Sequence, residues 1–441
     1  MSKNPARSRR LTVVLSLPIL LIASGIAAPN AAAAAPCEPG AYGRPDQDVV
    51  VLERKAWIPS PHLGYILLDG RYGSTADQNS PISCHASSVA LRLANGRLVV
   101  LQKRIFLRTK EQIPAAGATL VGELLEPAQP AEQHDRPLVV MVHGSEKEAA
   151  ISNNRAYLLA AQGVSVFTYD KRGTGQSGGE YTQNFELLAD DAAAAMAHAQ
   201  AVARGRFGRS GYWGQSQGGW VAPLAATRSK VDFVAVGFGL VASPIEEDRD
   251  QMLLEAQTLG LGESDLNEIR QLSDATATVV SSHFATGLDE LEALRHRFAG
   301  RKWVQSISGE YSGEMLRMSD ADLRRVGQAL FDNLEIIWDY DARPALRSLK
   351  TPLLWTIAEK DRAAPAAGTL AALASLKALG KPFDVYVFPG TDHGMYEFVE
   401  RKSGERVNTR VTDGYFRLIG DWVLGLRRAS YGNSHTLSPA N

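Results

Sequence analysis

The chain has little cysteine, almost no net charge and few long apolar runs. Only Cys37 and Cys84 are cysteines among 441 residues. That excludes a disulfide-dense scaffold and a multi-thiolate metal site. The formal net charge is −1, so no basic field invites nucleic acid. No H-E-x-x-H run and no paired Cys/His spacing occurs among nine scattered histidines, so neither a metal nor another cofactor is expected. The apolar run from Leu11 to Ala23 is short of the ~20 residues that a membrane-spanning helix needs, and no stable membrane span is expected in the mature chain. The sequence has no signal for an oligomeric state.

What is present is ordinary globular composition, 45% apolar and 22% charged, in a chain longer than one compact domain. Lys3, Arg7, Arg9 and Arg10 precede the apolar run, and the small residues Ala31–Ala35 follow it. This is the plan of an export signal over residues 1–34, with a secreted or periplasmic product. Pro36 disfavours a cut after Ala35 and points to one after Ala33 or Ala34. Arg9-Arg10 also fits twin-arginine export, but the general secretory route is the plainer reading. Both cysteines follow the signal and are expected to pair in an oxidising compartment. The run Ala34-Ala35-Pro36-Cys37 lacks a lipobox pattern, so Cys37 is not read as lipid-modified.

Short β-branched runs at Val49–Leu52, Tyr65–Leu68, Val89–Leu93 and Leu98–Leu101, with Asn95-Gly96 as a hairpin turn, mark a β-rich module over 35–103. No chemistry is expected there, and His62 and His85 are read as structural or surface residues. From 104 to 428 continuous apolar strands alternate with helices. Strands are expected at Thr119–Leu125, Pro137–Val142, Gly163–Tyr169, Ser210–Trp213, Val231–Phe238, Pro352–Ile357 and Asp384–Phe388. Helices are expected at Asn153–Ala161, Phe185–Ala203, Trp220–Ala226 and Val411–Leu426. The pattern describes a mostly parallel sheet buried on both faces. A helical insertion at about 243–345 interrupts it, and residues 429–441 form a tail.

Gly214-Gln215-Ser216-Gln217-Gly218 fits G-x-S-x-G, a sharp strand-to-helix turn with a serine at its tip. Ala358-Glu359-Lys360-Asp361 and Gly390-Thr391-Asp392-His393-Gly394 follow later strands. They supply an acid and a base in the order serine, acid, histidine. Asp361 is the favoured acid over Glu359 and Asp392. Two backbone donors are needed for a developing oxyanion. The amides of Gln217 and Ser145 are the candidates, while His143 is read as a loop residue rather than a second base. Gly173-Thr174-Gly175-Gln176-Ser177-Gly178 matches G-x-G-x-x-G, but residues 179–184 separate it from the next helix, which argues against dinucleotide binding.

The runs VMVHGS, YDKRGTGQSGG, GQSQGGW, EKD and GTDHG resemble the α/β-hydrolase superfamily over residues 104–428. Within it the chain is similar to exported bacterial hydrolases of the carboxylesterase and serine aminopeptidase branches. The resemblance implies an α/β-hydrolase fold with a helical cap, a Ser216–His393–Asp361 triad, and a loop braced by Asp170 and Arg172. Where the usual run is HGSG this chain has HGSE, so Glu146 alters the width and charge of the oxyanion-side loop. The expected activity is cleavage of a small-molecule carboxylic ester, with amide cleavage by an aminopeptidase-like enzyme as the alternative. The latter needs acids in the cap for a substrate amine, and Glu246, Glu247, Asp248 and Asp250 are candidates. Trp303, Trp338 and Tyr340 either line the pocket or pack the cap. A non-catalytic binding protein on the same fold is the remaining reading.

Overall fold

A computed structural model describes residues 37–45, 47–85, 87–128 and 136–437. The export signal expected over 1–34 and residues 438–441 of the tail lie outside the described residues. The centre is a nine-stranded sheet. Its strands are β8 (Phe106–Ala115), β9 (Ala118–Pro127), β10 (Leu138–Val142), β11 (Ser165–Tyr169), β12 (Ser210–Gln215), β13 (Phe233–Gly237), β14 (Leu353–Ala358), β15 (Phe383–Phe388) and β19 (His435–Thr436). Their spatial order is β19-β15-β14-β13-β12-β10-β11-β9-β8. The strands from β11 to β15 pair in parallel, and the hairpin β8–β9 and the edge strand β19 pair antiparallel. This is the α/β-hydrolase architecture that the sequence pattern describes.

The alternation of side chains along each strand builds two cores. Leu138, Val140 and Val142 of β10 face one core, with α2 (Phe185–Val202) and α3 (Gly218–Arg228). Val139 and Met141 face the other, with α1 (Asn154–Ala161) and α11 (Tyr415–Leu424). Trp355 and Trp213 are fully buried on opposite faces, and burying a large apolar side chain stabilises by roughly 1.5–3 kcal/mol. Local signals set the helix starts. The side chains of Asn153 and Asn184 accept backbone N–H bonds at the first turns of α1 and α2.

The N-terminal residues form two antiparallel sheets. One holds β1 (Gly40–Gly43), β2 (Val49–Glu53), β3 (Gly64–Leu67) and β4 (Tyr72–Ser74); the other holds β5 (Ile82–His85), β6 (Ser88–Arg92) and β7 (Leu98–Gln102). Val49 and Val51 join the core beneath α1 and α11, while Val50 and Leu52 pack against the second small sheet. Strand β2 is therefore buried on both faces. Cys37 and Cys84 form a disulfide, with Cα atoms 5.1 Å apart. Closing a loop of this length removes about 4 kcal/mol of unfolded-chain freedom in the chain-entropy account.

Between β13 and β14 the chain leaves the sheet to build a helical cap: α4 (Pro244–Thr258), α5 (Glu263–Ser281), α6 (Leu288–Phe298), α7 (Ser312–Arg317) and α8 (Asp320–Phe331). The cap has its own core around Ile269, Leu272, Trp303 and Met315. The short α9 (Arg343–Ser348) returns to the main core through Leu346; α10 (Ala366–Ala378) joins β14 to β15. After the two-residue strand β16 (Thr391–Asp392) comes the hairpin β17 (Tyr396–Glu400) and β18 (Arg406–Val411). The helix expected from Val411 begins only at Tyr415. Val411 closes β18, and Gly414, at φ +85°, turns the chain into α11. No helix among the described residues is long and apolar enough to cross a membrane.

Candidate active site

The site begins at the end of β12. Ser216 has φ +52°, a left-handed conformation that costs a non-glycine residue roughly 1–2 kcal/mol. Its N–H donates to the Gly237 carbonyl at 3.1 Å, which pins the turn to β13. Adjacent positions must lack side chains. A Cβ on Gly214 would lie 2.2 Å from the Gly218 oxygen, and one on Gly218 would lie 2.8 Å from the Val142 oxygen. The hydroxyl is thereby presented at the C-terminal edge of the sheet, directly before α3.

His393 follows β16 on the neighbouring loop. Its Nε2 lies 3.0 Å from Ser216 Oγ, and its Nδ1 lies 2.9 Å from Asp361 Oδ2. Asp361, at the end of β14, is 3% exposed, and its Oδ1 accepts the N–H groups of Ala363 and Ala364 at 3.0 and 2.8 Å. The carboxylate is thus fixed, and the imidazole donates from Nδ1 and accepts at Nε2. The Phe238 ring meets the imidazole edge-on at 5.1 Å. Burial pulls the His393 pKa down, but the hydrogen bond and charge of Asp361, with the charges of Asp392 and Glu310, outweigh it and hold the pKa above the ordinary value. An imidazole placed in this way can take a proton from the serine hydroxyl.

The competing acids stand elsewhere. Glu359 accepts the Gly390 N–H. Asp392 accepts the N–H groups of Arg362 and His393, each at 2.9 Å, and pairs with Arg406. Both brace the two loops that bring acid and base together.

Ser145 and Gln217 line the same cavity as Ser216 and His393. Among the described residues no acceptor takes either backbone N–H. Gly144 lies against Ser216: a Cβ there would be 3.3 Å from Ser216 Cβ. Glu146 is exposed, with Oε2 beside Gly144. His143 packs edge-on against Tyr169 at 4.7 Å. Burial and the Lys171 charge lower its pKa to about 3, so it stays neutral. Asp170 accepts from Ala150, Ile151 and Gln176 N–H groups, and Arg172 forms a two-point pair with Asp191 of α2. Gly175 of the G-x-G-x-x-G run serves this brace: a Cβ there would strike the Asp170 carboxylate at 2.1 Å.

A cavity of about 570 Å³ opens over Ser216. Phe185, Trp220, Leu240, Phe331 and Trp338 supply apolar wall, and Glu247, Glu310 and Glu314 supply acid. Of the cap acids singled out in the sequence, Glu247 alone lines this cavity. Glu246 closes a capping box with Ser243. Asp248 is buried on the backbone of Tyr311 and Ser312, and Asp250 lines a separate groove with Arg249 and Arg343. Burial and the charges of Glu310, Asp361 and Asp248 raise the pKa of Glu247 well above the carboxylate range. Trp338 lines the cavity, whereas Trp303 fills the cap core and Tyr340 the main core. Sequence reasoning missed Glu310 and Glu314, which lie in a cap turn and on α7 with no motif around them. Elsewhere on the cap Glu292, His296 and Asp320 come within 4.8 Å of one another, but Arg324 and Arg295 already pair with the two carboxylates.

Residues 133–265 match the family described as serine aminopeptidase, S33. Comparison with curated proteins found no match. Solved structures resemble the chain only loosely. An esterase from Pyrococcus furiosus aligns at TM-score 0.40 and 16% identity, over 65% of this chain and 84% of that one. The brefeldin A esterase, a bacterial homologue of human hormone sensitive lipase, aligns at 0.39 and 18%, over 70% and 73%. An acylaminoacyl peptidase from Pyrococcus horikoshii aligns at 0.40 and 13%; 76% of this chain spans about half (51%) of that one. Superpositions this loose say nothing about substrate. The sheet order and the left-handed serine turn between β12 and α3 give the chain the α/β-hydrolase fold, and the family match spans that turn.

Proposed function

We propose that the protein is an exported serine hydrolase that cleaves a carboxylic ester through an acyl-enzyme. The observation that supports this best is the unbroken hydrogen-bonded line Asp361–His393–Ser216 at the floor of a cavity with apolar and acidic walls. Ser216 Oγ attacks the ester carbonyl as its proton passes to His393 Nε2. Asp361 holds the imidazolium, and the Gln217 and Ser145 N–H groups face the developing oxyanion. Collapse expels the alcohol, which takes the proton from His393. Water then repeats the sequence on the acyl group. The test is a p-nitrophenyl acyl ester series beside aminoacyl p-nitroanilides. Ester turnover with an optimum at one chain length is expected; turnover of the anilides alone overturns the ester reading.

One observation favours the amide reading as second choice. Glu247 and Glu310 share the cavity, and burial, followed by the Glu310 charge, raises the Glu247 pKa well above the carboxylate range. An ammonium group between them would favour the Glu247 carboxylate and gain its charge. The anilide half of the panel measures this directly.

Export rests on the basic, apolar and small-residue plan of 1–34, and the Cys37–Cys84 bond suits an oxidising compartment. Mass spectrometry of the exported protein is expected to find a chain starting at Ala34 or Ala35 and a cross-linked Cys37–Cys84 peptide. A full-length chain with two free thiols would contradict both.

A further inference from the structure

The run Asp170-Lys171-Arg172 leaves β11 beside the site. Its outer members brace loops, as described. Lys171 is 3% exposed and no step above uses it. Its ammonium donates to the Gly144 carbonyl at 2.7 Å. The next carbonyl, Ser145, accepts from the Tyr181 hydroxyl, and the Tyr181 ring lies between Lys171 and Lys147, at 5.1 and 4.6 Å.

In a trans peptide the C=O and N–H point in opposite directions. The bond from Lys171 to the Gly144 oxygen therefore fixes where the Ser145 N–H points. Gly144 lies against Ser216 Cβ, and the Ser145 N–H has no acceptor among the described residues. A glycine, lacking a Cβ, restricts its own backbone less than any other residue. We infer that Lys171 is a positioning residue for the oxyanion site, clamping the Gly144–Ser145 peptide with its N–H turned toward the carbonyl oxygen of the substrate. The inference rests on the hydrolase reading above. It also gives Glu146 a place. Burial lowers the Lys171 pKa to about 8, and Glu146 and Glu148 oppose that fall, so the ammonium persists at neutral pH.

The test compares wild type, Lys171→Met and Lys171→Gln on a p-nitrophenyl ester. Binding of an alkyl boronic acid, which forms a tetrahedral adduct with the nucleophile, is measured beside binding of a non-hydrolysable ether of the same shape. Lys171→Met is expected to lose about 10²-fold in kcat, as for one oxyanion donor, with KM within about threefold. Boronate affinity should fall by the same factor and ether affinity should hold. Lys171→Gln, whose amide still donates to Gly144, should recover about tenfold of the loss. Two results overturn the assignment: boronate affinity within about twofold of wild type in folded Lys171→Met, or equal losses for boronate and ether, which mark a merely structural role. A wild-type protein that neither hydrolyses esters nor binds the boronate overturns the hydrolase reading and the Lys171 role together. A working wild type with a boronate-competent Met variant overturns the Lys171 role alone.

Discussion

Ser216→Ala and Ser216→Gly are both expected to lower ester kcat/KM by about 10⁶-fold, the scale of losing the nucleophile of such a unit. They should differ in stability. Ser216 sits at φ +52°, where alanine keeps the Cβ clash with the backbone and glycine has none. Relief of roughly 1–2 kcal/mol of strain exceeds the ~0.4–1 kcal/mol that glycine adds to unfolded-chain freedom. The glycine variant should therefore unfold about 0.5–1 kcal/mol later than the alanine variant in a urea titration. Equal stability would mean that the turn is unstrained. Wild-type turnover in either variant would remove Ser216 from the chemistry.

Asp361→Asn should lower kcat by about 10⁴-fold with the fold intact. The Ala363 and Ala364 N–H groups both need an acceptor where Asp361 Oδ1 now sits, so the asparagine oxygen takes that place. Its NH₂ then faces His393 Nδ1, which must accept, and the ring proton moves to Nε2, where it blocks the base. The pH profile should change as well. In the wild type the base works only when neutral, so kcat/KM rises with pH through a His393 pKa above the ordinary 6.5. Loss of Asp361 leaves burial as the largest influence, and burial lowers the pKa, so the rising limb should move to lower pH. The same raised pKa gives the wild type extra stability that is complete below about pH 6.5 and fades as pH rises through the folded-state value. A profile and kcat unchanged in Asp361→Asn would show that another group orients the imidazole.

Much of this was legible in the sequence because buried parallel strands are continuous apolar runs. LVVMV, SVFTY and FVAVG are wholly buried and announce themselves. The hairpin strand β8 does not. FLRTKEQIPA lies at the sheet edge with most side chains half or fully exposed, so neither apolar runs nor strict alternation mark it. The hairpin β17–β18 is hidden for the same reason, and its charged residues let the apolar start of α11 seem to reach back to Val411. The serine, acid and base are readable because each sits at a strand end with a glycine or turn nearby. Lys171 is not, since its partner Gly144 is 27 residues away and only the pairing of β10 with β11 brings them together. Glu310 reaches the cavity only through the packing of the cap helices.

The cap leaves the sheet after β13 and rejoins it before β14, and between those points it packs around a core of its own. Variation can therefore rework its helices by exchange, insertion or loss without disturbing Trp213, Trp355 or the strands that set Ser216. Selection for a new substrate and selection for a folded protein act on different stretches of chain. The sheet that carries Ser216 is packed between two cores, and the cap that roofs the cavity is packed around a third.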